Sequence, residues 1–91
     1  MNYDGNLPQT IEQAVGVLLE RLSKGEKNNI ASMSRDDLIN LHSGLGTQIR
    51  NDFGLWGGNT ALLENTGNSH PDDAAMAIIE ALWHRLVNAY S

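Results

Sequence analysis

The sequence predicts an all-α fold: a small bundle of three main helices, at about residues 10–24, 35–53 and 71–88, with one or two short connecting helices. Three observations predict it. Three stretches open on a capping residue or a proline and continue with apolar residues at helical spacing. No stretch alternates apolar and polar residues as a half-buried strand does. The chain has 91 residues, of which 41% are hydrophobic, which suits one ordinary folded domain.

Residues 1–9 are mostly polar, contain Gly5 and Pro8, and read as a flexible N-terminal arm; residues 10–91 read as a single helical domain. Leu7 is a candidate anchor ahead of the first helix. Thr10-Ile11-Glu12-Gln13 has the form of a capping box, with Thr10 at the start and Gln13 reaching back. Ile11, Ala14, Val15, Leu18, Leu19 and Leu22 then share one stripe, and Gly25 stands where the helix is expected to end. Residues 26–33 form a connector with room for one helical turn, anchored by Ile30 and Met33.

The second main helix opens on Ser34-Arg35-Asp36-Asp37, a further capping box with acids in the first turn, where the helix dipole favours them. At about 100° per residue, Leu38, Leu41, Leu45, Ile49 and Phe53 fall in one arc. His42 lies inside that arc and Arg50 at its edge. Gly46 borders it, so a neighbouring element can approach the backbone there. Gly44 faces the polar side and costs about 1 kcal/mol in a helix interior. Gly54 suits the residue just past the helix, in a positive-φ conformation; Leu55 and Trp56 fold back, and Gly57-Gly58 lets the chain turn.

Asn59 or Thr60 can cap a short helix through Glu64. In the last start signal, Ser69 or His70 is the cap, Pro71 occupies the first turn, and Asp72 and Asp73 complement the dipole. The final helix carries Ala75, Ile78, Ile79, Leu82 and Leu86, widened by Met76, Trp83, Val87 and Tyr90. This arc covers about half of the helical wheel, more than a surface helix needs. Such a helix is either central in the bundle or covers a partner.

Composition narrows the function classes. With no cysteine there is neither a disulfide nor a thiolate zinc site. The net charge is −5 and the six Lys and Arg are scattered, which argues against nucleic acid and favours basic partners. The first residues lack the basic and apolar regions of a secretion signal, and no apolar run approaches the roughly 20 residues of a membrane span. A cytoplasmic location is therefore expected, with no membrane partner. No cofactor, metal or catalytic signature is legible. The glycine-rich turn has no Lys-Ser/Thr of a phosphate loop and no strand before it. A helix-turn-helix with its turn at Ser43-Gly44 is opposed by the acidic balance.

The pattern Leu41-His42-x-x-Leu45-Gly46-x-x-Ile49-Arg50-Asn51-x-Phe53-Gly54-Leu55-Trp56-x-Gly58-Asn59 is followed by His70-Pro71-Asp72-Asp73-Ala74 and Ile78-Ile79-x-Ala81-Leu82-Trp83. It resembles a family of small uncharacterised bacterial proteins that carry an L-H-x-x-L-G-x-x-I-R-N-x-F-G-L-W block and a downstream H-P-D-D. The likeness covers about residues 10–87. The resemblance implies no activity. It does imply that His42, Arg50, Asn51, Trp56, Asn59, His70, Asp72 and Asp73 belong to one cluster, structural or binding.

Each member has a bland reading and a sharper one. His42 on an apolar face is a hydrogen-bonded core histidine, or a polar group facing a groove. Arg50 docks two helices through Asp72 or Asp73, or meets an anion or a partner. Asp72 and Asp73 complement the dipole, or join His70 at a metal, for which no second histidine stands at ligand spacing. Asn51 and Asn59 are helix-end and cap residues, or catalytic amides. Trp56 is a lid over the core, or an exposed anchor. Trp83, Val87 and Tyr90 belong to the core, or to an interface.

Three functions follow. The first is a small acidic, non-enzymatic protein-binding module, with an inhibitor or immunity-type partner of a basic enzyme as one form of it. The second is a small-ligand or enzymatic site around His42, Arg50, Asn51 and Trp56, which requires those groups to converge on a cavity of roughly 300 Å3 or more. The third is a structural homodimer through the last helix.

Overall fold

The long helix α5 (Pro71–Tyr90) is the axis on which the rest of the molecule packs. The structure is a computed structural model that describes residues 7–90, the side chain of Tyr90 excepted. All regular elements among the described residues are helical. They are α1 (Ile11–Arg21), α2 (Lys24–Ala31), a 3-10 helix (Arg35–Leu41), α3 (Leu45–Asp52), α4 (Thr60–Asn65) and α5. The chain thus breaks at two places: the first expected main helix stops at Arg21 and a separate helix covers the expected connector, and the second expected main helix is divided in two.

The first division follows from a start signal that outcompetes a stop signal. Leu22 leaves the helix in an extended conformation (φ −74°, ψ 140°) after its N–H has bonded back to the Leu18 carbonyl. Ser23 then caps α2. Its Oγ accepts the Glu26 N–H at 3.1 Å, and the Glu26 carboxylate accepts the Ser23 N–H at 2.8 Å. The Ser23 backbone N–H foremost, and then the Ser23 hydroxyl, lower the pKa of the Glu26 carboxyl from its ordinary value. Gly25, expected to end the first helix, instead lies in the first turn of α2. The connector expected over 26–33 is thus largely helical. Ile30 is buried there, and Met33 is half-buried.

The second division falls at His42-Ser43-Gly44. Residues Arg35–Leu41 wind as a 3-10 helix, begun by the reciprocal Ser34–Asp37 capping box. Seven residues is long for this tighter helix, which seldom exceeds about three or four. Gly44 then opens α3 with no side-chain cap. The cost of Gly44 inside a continuous helix is removed because the helix is not continuous there. As a consequence the expected arc is split. Leu38, Ile49 and Phe53 are buried, Leu41 and Leu45 are half-buried, and Ile39 is 61% exposed.

The width of the apolar arc on α5 is explained by its position. Ala74, Ala75, Ile78, Ile79 and Leu82 are fully buried, and α1, α2, α3 and the 3-10 helix all pack on this helix. Burial of each large aliphatic side chain stabilises the fold by about 1.5–3 kcal/mol. At Gly46 the tight neighbour is Arg50: a Cβ there would stand 3.2 Å from Arg50 Nη1 and in ordinary contact, 3.8 Å, with Ile79 Cδ1 of α5.

Of the arm expected at residues 1–9, residues 1–6 lie outside the described residues. Residues 7–9 are docked, not loose. Pro8 is fully buried, and its carbonyl accepts the Asn59 side-chain N–H at 2.9 Å. Apolar contact and a long-range hydrogen bond together offset the entropy of ordering this short segment.

Candidate functional site

The motif cluster is built on the C-terminal end of α3 and the first turn of α5. Arg50 is the buried charged side chain among the described residues, at 8% exposure. Each part of its guanidinium is engaged. Nε meets Asp72 Oδ1 at 3.3 Å, Nη1 donates to the His42 carbonyl at 3.4 Å, and Nη2 donates to Thr47 Oγ1 at 2.9 Å. The planar fork suits this three-way task, which a lysine could not perform. One side chain thereby ties the 42–44 break, α3 and the start of α5 together. Asp72 is 40% exposed, so its charge is partly screened, and the value of the contact lies mainly in the geometry it imposes.

The exit of α3 carries Trp56. Gly54 takes φ 73°, and the Leu55 N–H reaches back to the Arg50 carbonyl at 3.1 Å. That is the six-residue closure of a Schellman motif, and it drives Leu55 into the core. The Gly57 and Asn59 N–H groups both close on the Gly54 carbonyl at 3.0 Å, and Gly58 takes φ 98°. Asn59 locks the base of this turn. Its Oδ1 accepts the Leu62 N–H, capping α4 at 3.4 Å, and its Nδ2 donates to the Phe53 carbonyl at 2.7 Å as well as to Pro8. Trp56 rides on top, 60% exposed. Its ring meets the His70 ring edge-on, with centroids 6.1 Å apart and planes at 77°. His70 Nδ1 accepts the Asp72 N–H at 3.2 Å.

The structure therefore brings together Arg50, Asp72 and the His42 backbone, and, beside them, Trp56 and His70. Asn59 belongs to the same turn but is spent on backbone groups. Other members stand apart. The His42 ring is half-buried and makes no hydrogen bond or ion pair among the described residues, which corrects its reading as a hydrogen-bonded core histidine. Asn51 is exposed, with no side-chain hydrogen bond among the described residues. Asp73 is exposed and faces away from Arg50, along a groove shared with the 3-10 helix.

Four surface grooves have volumes between about 230 and 700 Å3, and His42, Arg50, Asn51 and Trp56 line none of them. Among the described residues no cluster of three or more His, Asp or Glu could hold a metal ion. None of their helices is long and apolar enough to cross a membrane.

The interface suggested by Trp83, Val87 and Tyr90 changes character. The Trp83 indole N–H donates to the Met33 carbonyl at 2.9 Å, the Arg35 guanidinium lies 5.7 Å from its ring centre, and the His84 ring packs against it at 4.9 Å. Trp83 and Val87 are half-buried, and the Tyr90 side chain lies outside the described residues.

Sequence reasoning missed several tertiary polar contacts. Asn65 Oδ1 accepts the Ile11 N–H at 2.7 Å, Arg21 pairs with Asp52 at 3.1 Å, and Arg35 pairs with Glu80 at 3.0 Å. Their partners stand 31 to 54 residues apart, so no local spacing signals them.

No curated protein and no solved structure matches the chain. The model of a domain of unknown function, DUF6794, matches residues 7–86, beginning at the docked Leu7 and running through both halves of the motif cluster. The chain belongs to the DUF6794 family.

Proposed function

We propose that this protein is a non-enzymatic protein-binding module whose contact surface is centred on the Trp56 turn. The observation that carries the reading is a tryptophan left 60% exposed on a turn held by five hydrogen bonds from Gly54, Asn59 and their neighbours. An exposed indole on a fixed backbone loses little freedom on binding and offers a large apolar area, the usual properties of an interface anchor. The polar residues beneath it satisfy one another, so they brace the anchor and leave recognition to the outer face. A net charge of −5 favours a basic partner, because opposite fields speed encounter. Inhibition of a basic enzyme is one role such a module would fill.

The test is affinity capture from the native host with tagged wild type and tagged Trp56→Ala, compared quantitatively. A protein held by wild type and reduced at least about tenfold by Trp56→Ala, with unchanged circular dichroism, supports the reading; tenfold corresponds to about 1.4 kcal/mol. A wild type that elutes alone at every salt concentration, or partners held equally by both forms, sinks it.

A further inference from the structure

The groove between the 3-10 helix and the first half of α5 combines an apolar floor with unspent negative charge. Its volume is about 400 Å3. Leu38 forms part of the floor, Met76 and Ala77 are half-buried along it, and Ile39 stands at its edge, 61% exposed. The rim carries Asp36, Asp73 and Glu80 against a single cation, Arg35. Arg35 is already committed. It pairs with Glu80 at 3.0 Å, contacts His84 Nε2 at 3.3 Å and lies over Trp83. Asp36 and Asp73 make no side-chain hydrogen bond or ion pair among the described residues. Both lie in first helical turns, where negative charge is favoured by the backbone dipole.

We infer that this groove receives a basic amphipathic segment of a partner protein, an inference that rests on the protein-binding reading above. Apolar side chains of the segment lie on Ile39 and Met76, and its Lys or Arg heads reach Asp36 and Asp73. Two helical walls framing an apolar floor suit an inserted helix, and the thioether of Met76 adapts to the shape of what enters. Charge selects this occupant over a second copy of the chain. Two copies bring net charges of −5 together, and three of the six cations, Arg21, Arg35 and Arg50, are already paired with carboxylates.

The probe is a synthetic amphipathic helical peptide with leucines on one face and lysines on the other. Its counterpart carries glutamate in place of lysine. Binding is read by fluorescence anisotropy against wild type, Ile39→Ser, Asp36→Asn with Asp73→Asn, and a charge-matched control, Glu20→Gln with Glu64→Gln. The lysine peptide is expected to bind wild type, to lose at least about fivefold in affinity on either groove variant, and to stay within about twofold on the control; fivefold is about 1 kcal/mol. The glutamate peptide is expected not to bind. Amide shift changes on wild type should map to residues 35–41 and 73–80, a readout that does not depend on any variant folding. Absence of lysine-peptide binding, equal losses on groove and control variants, an unaffected Ile39→Ser, or shifts centred elsewhere overturns the inference. Trp56-dependent capture that survives such a result leaves the general reading standing, and a lost capture with intact peptide binding removes the Trp56 anchor alone.

Discussion

The two tryptophans occupy opposite kinds of surface. Trp83 is a structural member: half-buried on α5, it has its indole N–H fixed to the Met33 carbonyl and its ring covered by Arg35 and His84. Trp56 is a passenger. The turn below it is closed by Gly54, Asn59 and buried Leu55, and its own ring touches His70 at the edge. In the first region the aromatic side chain helps to hold the fold. In the second the fold holds the aromatic side chain out. Removing structure and removing function should therefore separate cleanly between the two sites.

The largest expected effect is at the structural tryptophan. Trp83→Ala removes half-buried aromatic area and leaves the Met33 carbonyl without its donor. Full burial would make this loss about 3–5 kcal/mol, so about 2–3 kcal/mol is expected for a half-buried ring. Urea unfolding followed by circular dichroism checks it, and a midpoint unchanged from wild type would end the distinction between the two tryptophans.

Next comes the base of the Trp56 turn. Asn59→Ala removes the cap of α4 and two donated hydrogen bonds, to Pro8 and Phe53, at an expected cost of about 2 kcal/mol. Asn59→Asp separates the two jobs. It keeps the capping oxygen and loses the donors, so it should recover part of the stability and leave residues 7–9 more open to proteolysis. A smaller loss, about 1–2 kcal/mol, is expected for Gly54→Ala, since φ 73° disfavours a Cβ and that atom would lie 2.6 Å from Leu7 Cδ1. If Gly54→Ala is neutral in thermal melting, the turn is softer than its hydrogen bonds imply.

Much of this architecture can be read from local sequence, and the unread part has a common physical origin. Ser34, Asn59 and the positive-φ Gly54 act over a few residues, so their chemistry is visible in spacing alone. The width of the α5 arc left a central helix and a partner-covering one both open, and the packing of four elements on α5 accounts for it. The division at Ser23 was equally local, since Ser23 and Glu26 form a capping box; the apolar stripe running through Leu22 obscured it. The division at 42–44 depended on tertiary demand. A continuous helix would carry Gly44 in its interior, and the break places it at the N-cap of α3 instead. Within the candidate site, the arginine and the acids of the α5 start were legible, but not which acid would meet the arginine. Asp72 and Asp73 differ by one residue in sequence and by about 100° around the helix, and only the docking of α3 selects Asp72. The jobs of Trp83 and Pro8 needed partners about 50 positions away.

The smallest expected effect on stability is the most informative for function. Trp56→Ala should change the unfolding free energy by no more than about 0.5 kcal/mol, the range for exposed substitutions that break no cap, core contact or buried hydrogen bond. Single-tryptophan variants give a spectroscopic form of the same statement. With Trp83→Phe, the remaining Trp56 should be quenched readily by acrylamide; with Trp56→Phe, the remaining Trp83 should be quenched less and its emission should lie to the blue. Equal quenching would mean that the Trp56 ring folds down onto the molecule in solution, and a substantial destabilisation by Trp56→Ala would mean that it serves as a lid over the core. Either result takes away the exposed anchor. A neutral Trp56→Ala with strong quenching at position 56 leaves an apolar side chain that the fold displays without needing it, and binding then becomes the remaining reason for that ring to be there.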